Sequence, residues 1–185
     1  MELERLLTSK KPLILKRWFD LAVETYPRDT SKFIKRQKDR FANPVGRTTH
    51  QTLKAALDLL LDEFDTDKAA LVLDPMIRIR AIQDFSPSRA TGIVFGLKKI
   101  VRDIVDRERE RGGSGNITEG LLAFESKIDK LGLVAFDIYL ACREKIYELK
   151  ANEVRNRSYR AFERAGLISG MSAVENDRNG TKPHQ

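Results

Sequence analysis

One cysteine, Cys142, stands in the 185 residues, so no internal disulfide is available. Two histidines are too few for a dedicated zinc site. No apolar run approaches the roughly 18 residues that a membrane span needs, so no membrane insertion is expected. The opening MELERLLTSKK mixes acids with bases and has none of the uninterrupted apolar core of a signal peptide. The expected location is the cytoplasm. A Gly-rich phosphate loop, H-E-x-x-H and G-x-S-x-G are all missing, and no carboxylates pair on an apolar face at acid–base spacing. The chain is expected not to be an enzyme and to hold no cofactor or metal. Strand-length alternation bounded by hairpin turns is also missing, which leaves an all-α fold.

What is present is a globular composition, 41% hydrophobic and 33% charged, with a net charge of +7. The excess sits near the amino terminus, where residues 1–50 hold 12 basic and 6 acidic side chains. KFIKRQKDR, residues 32–40, is the densest basic patch. Interleaved acids read as a solvated helix face; the alternative is a nucleic-acid or assembly-scaffold surface.

Hydrophobic spacing predicts about six helices. Leu3, Leu6, Leu7, Leu13, Ile14, Trp18, Leu21 and Ala22 form one stripe over residues 2–26, with Pro12 as a kink or restart and Ser9 as its cap. Thr30 is expected to cap a basic helix that stops at Asn43, before Pro44. A helix over 47–64 places Leu53, Leu57, Leu60, Leu61 and Phe64 on one face, and His50 with them. Asp74-Pro75 predicts a cap and first turn for a helix to Asp84, carrying Met76, Ile79, Ile82 and Phe85. Ser86-Pro87 repeats that signal and opens a helix to Arg111. GGSGN, residues 112–116, is a loop, and Asn116 with Glu119 resembles a capping box.

The last helix carries a heptad: Leu121, Ile128, Ala135, Cys142 and Leu149, interleaved by Phe124, Leu131 and Ile138. Leu121, Phe124, Ile128, Leu131 and Ile138 are assigned to a core or dimer seam. A second stripe, Leu133, Phe136, Leu140 and Tyr147, predicts a central helix buried on two faces, with a two-stranded coiled coil as the alternative. Residues 1–165 are expected to form one domain and 166–185 a polar, disordered tail.

Several residues have two readings. His50 is a core histidine or a haem ligand. Gly92 and Gly96 share a helix face and mark a close approach by another helix, around Gly132, or a ligand cavity. Cys142 reads as inert packing. Arg80 and Asp84 are spaced to pair, and Gln83, among Ile79 and Ile82, is expected to be partly buried.

DRFANPVG (residues 39–46), followed by IRIRAIQDFSPSRATGIVFGLKKIV from Ile77 onward and preceded by KRW at 16–18, resembles the amino-terminal domain of the RsbRD family of RsbT co-antagonist proteins. The resemblance extends to about residue 150. It implies a regulatory sensor domain of bacterial stressosomes: helical, related to globins without haem, dimeric, and normally feeding a STAS domain that binds the switch kinase. Residues 166–185 are too short for a STAS domain, so none is expected and no phosphorylation site is carried over. The family-motif residues Arg40, Asn43, Pro44, Gly46, Arg80, Gln83, Asp84, Pro87 and Ser88 are the candidate sensor or partner site. The implied partners are a second copy of the chain and a regulatory or STAS-containing protein in trans; nucleic acid is not expected.

Overall fold

Capping and proline chemistry set most of the helix boundaries in the computed structural model, which describes residues 2–37, 42–110 and 117–166. Among these residues there are seven helices and no strand: α1 (Glu2–Ser9), α2 (Lys11–Glu24), α3 (Arg28–Arg36), α4 (Pro44–Leu61), α5 (Thr66–Ile82), α6 (Pro87–Glu110) and α7 (Ile117–Arg164). The opening stripe is split at Lys10, with Pro12 in the first turn of α2, where a missing N–H costs nothing. Ser9 does not cap α2; its hydroxyl donates back to the Leu6 carbonyl. Helix α3 begins before Thr30 and ends at Arg36, well short of Asn43.

The largest departure from expectation is at Asp74-Pro75. Helix α5 runs through Pro75 without a break. Its cap is Asp65, whose carboxylate accepts from the Lys68 amide at 2.7 Å, and Asp74 instead pairs with Arg78 at 2.6 Å. Pro75 is exposed and Leu71, one turn earlier, is 78% exposed. The bond that proline removes therefore lies on the solvent side, where water can replace it.

Contacts divide the chain into two units, Met1–Glu144 and Lys145–Gln185. In the second, described residues 145–164 are helical and exposed from Tyr147 onward. The first contains the core. Ile14, Trp18 and Ala22 of α2 are fully buried, as are Leu53, Leu57 and Leu60 of α4, Leu73 and Ile77 of α5, Val94 and Leu97 of α6, and Ile128, Leu131 and Ala135 of α7. Each large apolar side chain so buried contributes about 1.5–3 kcal/mol. Trp18 also donates its indole N–H to the Ile93 carbonyl at 2.8 Å, which ties α2 to α6. Leu13 is 43% exposed, outside the stripe expected of it.

Two glycines allow close approach, Gly132 to the helix expected to meet it and Gly96 to a different one. A Cβ at Gly96 would strike Leu21 of α2, and one at Gly132 of α7 would strike the Phe95 ring of α6. Gly92 faces open space. Helix α7 lies on the bundle through Phe124, Ile128, Leu131, Ala135 and Cys142, all buried, with Leu121 and Ile138 half-buried. Its second stripe is not buried: Leu133, Phe136 and Leu140 are exposed, which corrects the expectation of a central helix. Leu149, the last heptad position, is exposed too.

Polar links secure α7. Lys127 donates to the Leu60 and Asp62 carbonyls, at 3.1 and 2.7 Å, and so caps the end of α4. Lys98 pairs with Asp129, and Arg102 grips Glu125 with two nitrogens. The loop at 112–116, the Asn116–Glu119 box and the tail beyond Gly166 lie outside the residues whose side chains are described.

The Arg102 guanidinium holds the Glu125 carboxyl below its ordinary pKa of 4.5, against a smaller opposing effect of burial. A lowered folded pKa contributes stability above the unfolded pKa and loses it as pH falls. Glu125→Gln is expected to cost about 1 kcal/mol at pH 7, a gap that closes as pH drops below 4.5. Urea denaturation at neutral and acid pH measures it.

Candidate functional site

The start of α4 hangs on one side chain. Asn43 is buried, and its Oδ1 accepts from the Gly46 amide at 2.9 Å, an N-cap bond. Its Nδ2 donates to the carbonyls of Ile34 at 2.9 Å and Gln37 at 3.1 Å. One amide thus joins the end of α3 to the start of α4. Pro44 needs no N–H in the first turn. Position 46 has no room for a Cβ, which would lie 2.6 Å from Asn43 Oδ1.

The end of α5 is a second device. Gln83 donates its amide to the Ile79 carbonyl, and the Phe85 amide reaches back to the Arg80 carbonyl at 3.2 Å. Asp84 between them has φ 55. This is the Schellman pattern, in which a left-handed residue lets the chain return its next amide to the last turn. Glycine is the usual occupant; aspartate tolerates the conformation at some cost. Here the aspartate carboxylate accepts from Arg143 of α7, which also donates to the Ala81 carbonyl at 3.1 Å. Tyr139, one turn earlier on α7, donates its hydroxyl to the Phe85 carbonyl.

Schellman corners commonly bring an apolar pair together between the last turn and the residue beyond the cap. In this protein the pair is Arg80 and Phe85. The Arg80 guanidinium lies 4.4 Å from the Phe85 ring centre and 5.4 Å from that of Tyr26. Arg80 is fully buried with no carboxylate bonded to it. Its Nη2 donates to Thr25 Oγ1 at 2.6 Å and to the Arg89 carbonyl at 2.8 Å. Nε and Nη1 have no hydrogen-bond acceptor. Burial pushes its pKa down to about 10, so it remains charged at neutral pH. Arg89 packs over the other part of the site, 5.2 Å from the Phe85 centre, and donates to the Thr25 carbonyl.

Tyr26 is where the two devices meet. Its ring stands edge-on to Phe85 at 4.9 Å, and its hydroxyl donates to Gln83 Oε1 at 3.0 Å. Burial raises its pKa above 10, partly offset by Arg80. A cavity of about 140 Å³ opens beside it, lined by residues of both segments, Asn43, Pro44 and Val45 from one and Gln83 from the other.

A family model described as the RsbT co-antagonist protein rsbRD N-terminal domain matches residues 12–154. The chain belongs to this family. No curated protein and no solved structure matches it. The RsbRD amino-terminal domain is a regulatory signalling domain related to the stressosome, where such domains engage in protein–protein interactions.

The RsbRD-type motif residues separate into two groups. Asn43, Pro44, Gly46, Arg80, Gln83 and Asp84 form the joined caps just described. Pro87 and Ser88 are exposed on the first turn of α6, where Ser86 Oγ accepts weakly from the Arg89 amide at 3.4 Å. Arg40 lies outside the described residues. Four placements differ from expectation. Arg80 is a core residue and does not pair with Asp84, because the buried stripe of α5 is Ala69, Leu73, Met76, Ile77, Arg80 and Ala81. Ile82 is therefore 62% exposed. Gln83 is exposed, although Tyr26 bonds its amide oxygen. His50 is exposed with its ring edge against Phe19, 5.8 Å between centres, because Thr49, Thr52 and Leu53 face inward. In the basic patch, Lys35 is held by Asp20 at 3.2 Å and Glu24 at 3.0 Å. Sequence reading missed Thr25, Tyr26, Phe85, Arg89, Tyr139 and Arg143 as members of the site. The one available signal was the four-residue spacing of Tyr139 and Arg143 on α7.

Asn43→Ala removes one acceptor and two donors at once, so it is expected to cost about 2–3 kcal/mol, more than an ordinary cap. Asn43→Asp keeps the cap to Gly46 but turns both donations into repulsions, and should recover little of that loss. Urea unfolding of both variants measures the difference.

Proposed function

We propose that this RsbRD-type domain is a non-catalytic cytoplasmic regulator that works through protein contacts. Two copies pair along α7, and the pair engages a regulatory or STAS-containing protein in trans. The observation carrying this reading is the unpartnered stripe on α7. Leu133, Phe136 and Leu140 are 64%, 43% and 45% exposed, with Leu122 at 65% on the same side. Phe95, seated on Gly132 beside them, is 38% exposed. Exposed apolar side chains contiguous on one face mark an interaction surface. The seven-residue spacing continues in sequence to Tyr147 and Val154, both exposed in the second unit, a pattern suited to a helix pairing with its own copy.

The site consists of helix caps, a buried cation and two aromatic rings. No group of three or more histidine, cysteine or acidic side chains that could hold a metal occurs among the described residues. No helix among them is long and apolar enough to cross a membrane.

Sedimentation equilibrium tests the pairing. The wild-type chain is expected to be a dimer, and the Leu133→Glu, Leu140→Glu double variant a monomer with unchanged helicity. A wild-type monomer at the highest soluble concentration would contradict the proposal.

A further inference from the structure

We propose that the cavity between α3, the start of α4 and Gln83 is a binding site for a small, uncharged, ring-sized molecule carrying one hydrogen-bonding group. The inference deepens the regulatory reading above by naming the class of signal. The cavity measures about 140 Å³ and is lined by Tyr26, Phe33, Ile34, Pro44 and Val45 with Asn43 and Gln83. An enclosed apolar cavity of about this size holds benzene; this one has room for a single ring and is open to solvent on the side of Phe33, Pro44 and Gln83, which are exposed. Its described lining is apolar and neutral, which favours an uncharged ring over a charged one.

The polar groups at its edge are unequal. Asn43 is fully committed, with its oxygen on Gly46 and its nitrogen on Ile34 and Gln37. The Gln83 side chain, which lines the cavity, accepts from the Tyr26 hydroxyl through its oxygen, and its amide nitrogen is a donor not used in that bond. A ligand hydroxyl can accept from that nitrogen while its ring lies against Ile34, Pro44 and Val45. The same two residues belong to the corner: Tyr26 packs on Phe85 and Arg80, and Gln83 precedes Asp84. A molecule bound here touches the segment that Tyr139 and Arg143 of α7 hold, so occupancy has a direct route to the helix that carries the exposed stripe.

Phenol is the probe and benzoate its charged counterpart, each titrated into the full chain and followed by amide ¹⁵N–¹H spectra. Saturable shifts at Ile34, Val45 and Gln83 are expected with phenol, and binding of benzoate at least about tenfold weaker. Val45→Phe fills the cavity and should weaken phenol by a similar factor while unfolding at the wild-type temperature. Ala42→Phe is the second filler should Val45→Phe fail to fold. Non-saturable shifts, equal binding of benzoate, or undiminished phenol binding in a folded filler variant would overturn the site. Sedimentation of the same samples reads the dimer independently, so a dimer that binds no phenol overturns this inference and leaves the preceding one standing.

Discussion

A buried guanidinium without a carboxylate fixes the corner around which this domain is built. Moving a charge out of water costs several kcal/mol after relaxation, and Arg80 meets that cost with the flat faces of Phe85 and Tyr26, the Thr25 hydroxyl and the Arg89 carbonyl. A guanidinium suits this place because it is weakly hydrated, planar and able to stack. Its neighbours come from the end of α2, the end of α5 and the start of α6. The three helix ends are therefore positioned by a single side chain.

The surrounding features follow from that arrangement. With Phe85 drawn over Arg80, the chain must reverse at Asp84, which adopts a left-handed conformation where glycine would be less strained. The aspartate is accounted for by its carboxylate, which gives Arg143 of α7 something to hold. Tyr26, pinned between Arg80 and Phe85, presents its hydroxyl to Gln83 and leaves the cavity against Asn43 and Val45. Packing at the corner, the cavity and the seating of α7 are thus parts of one connected network.

Much of this was legible in the sequence, for stated reasons. The all-α class follows from three- and four-residue apolar spacing. That spacing starts α4 at residue 47 and makes Asn43-Pro44 the stop of the helix before it, whereas the pair is the cap and first turn of α4. The family resemblance rested on two segments that the fold joins through Tyr26, and the family match bears it out. The corner was misread because periodicity treats arginine as a surface residue. Met76, Ile79 and Ile82 then appeared to be the stripe, while the buried face runs through Met76, Ile77 and Arg80. Pro75 was misread because proline was taken as a boundary, and nothing in one sequence shows that its side of the helix faces water. The partners of Arg80 were hidden because they come from positions 25, 26, 85 and 89, which no local pattern connects.

The most direct test of the account is native-state hydrogen exchange on Arg80→Lys. An ammonium keeps the charge and has donors enough for Thr25 and the Arg89 carbonyl, but it has no plane to lay against Phe85 and Tyr26 and is more strongly hydrated. The account predicts a loss of more than about 2 kcal/mol, with amides of residues 83–90 and of Thr25 and Tyr26 losing protection together. A lysine variant as stable as the parent, with exchange at the corner unchanged, would contradict it.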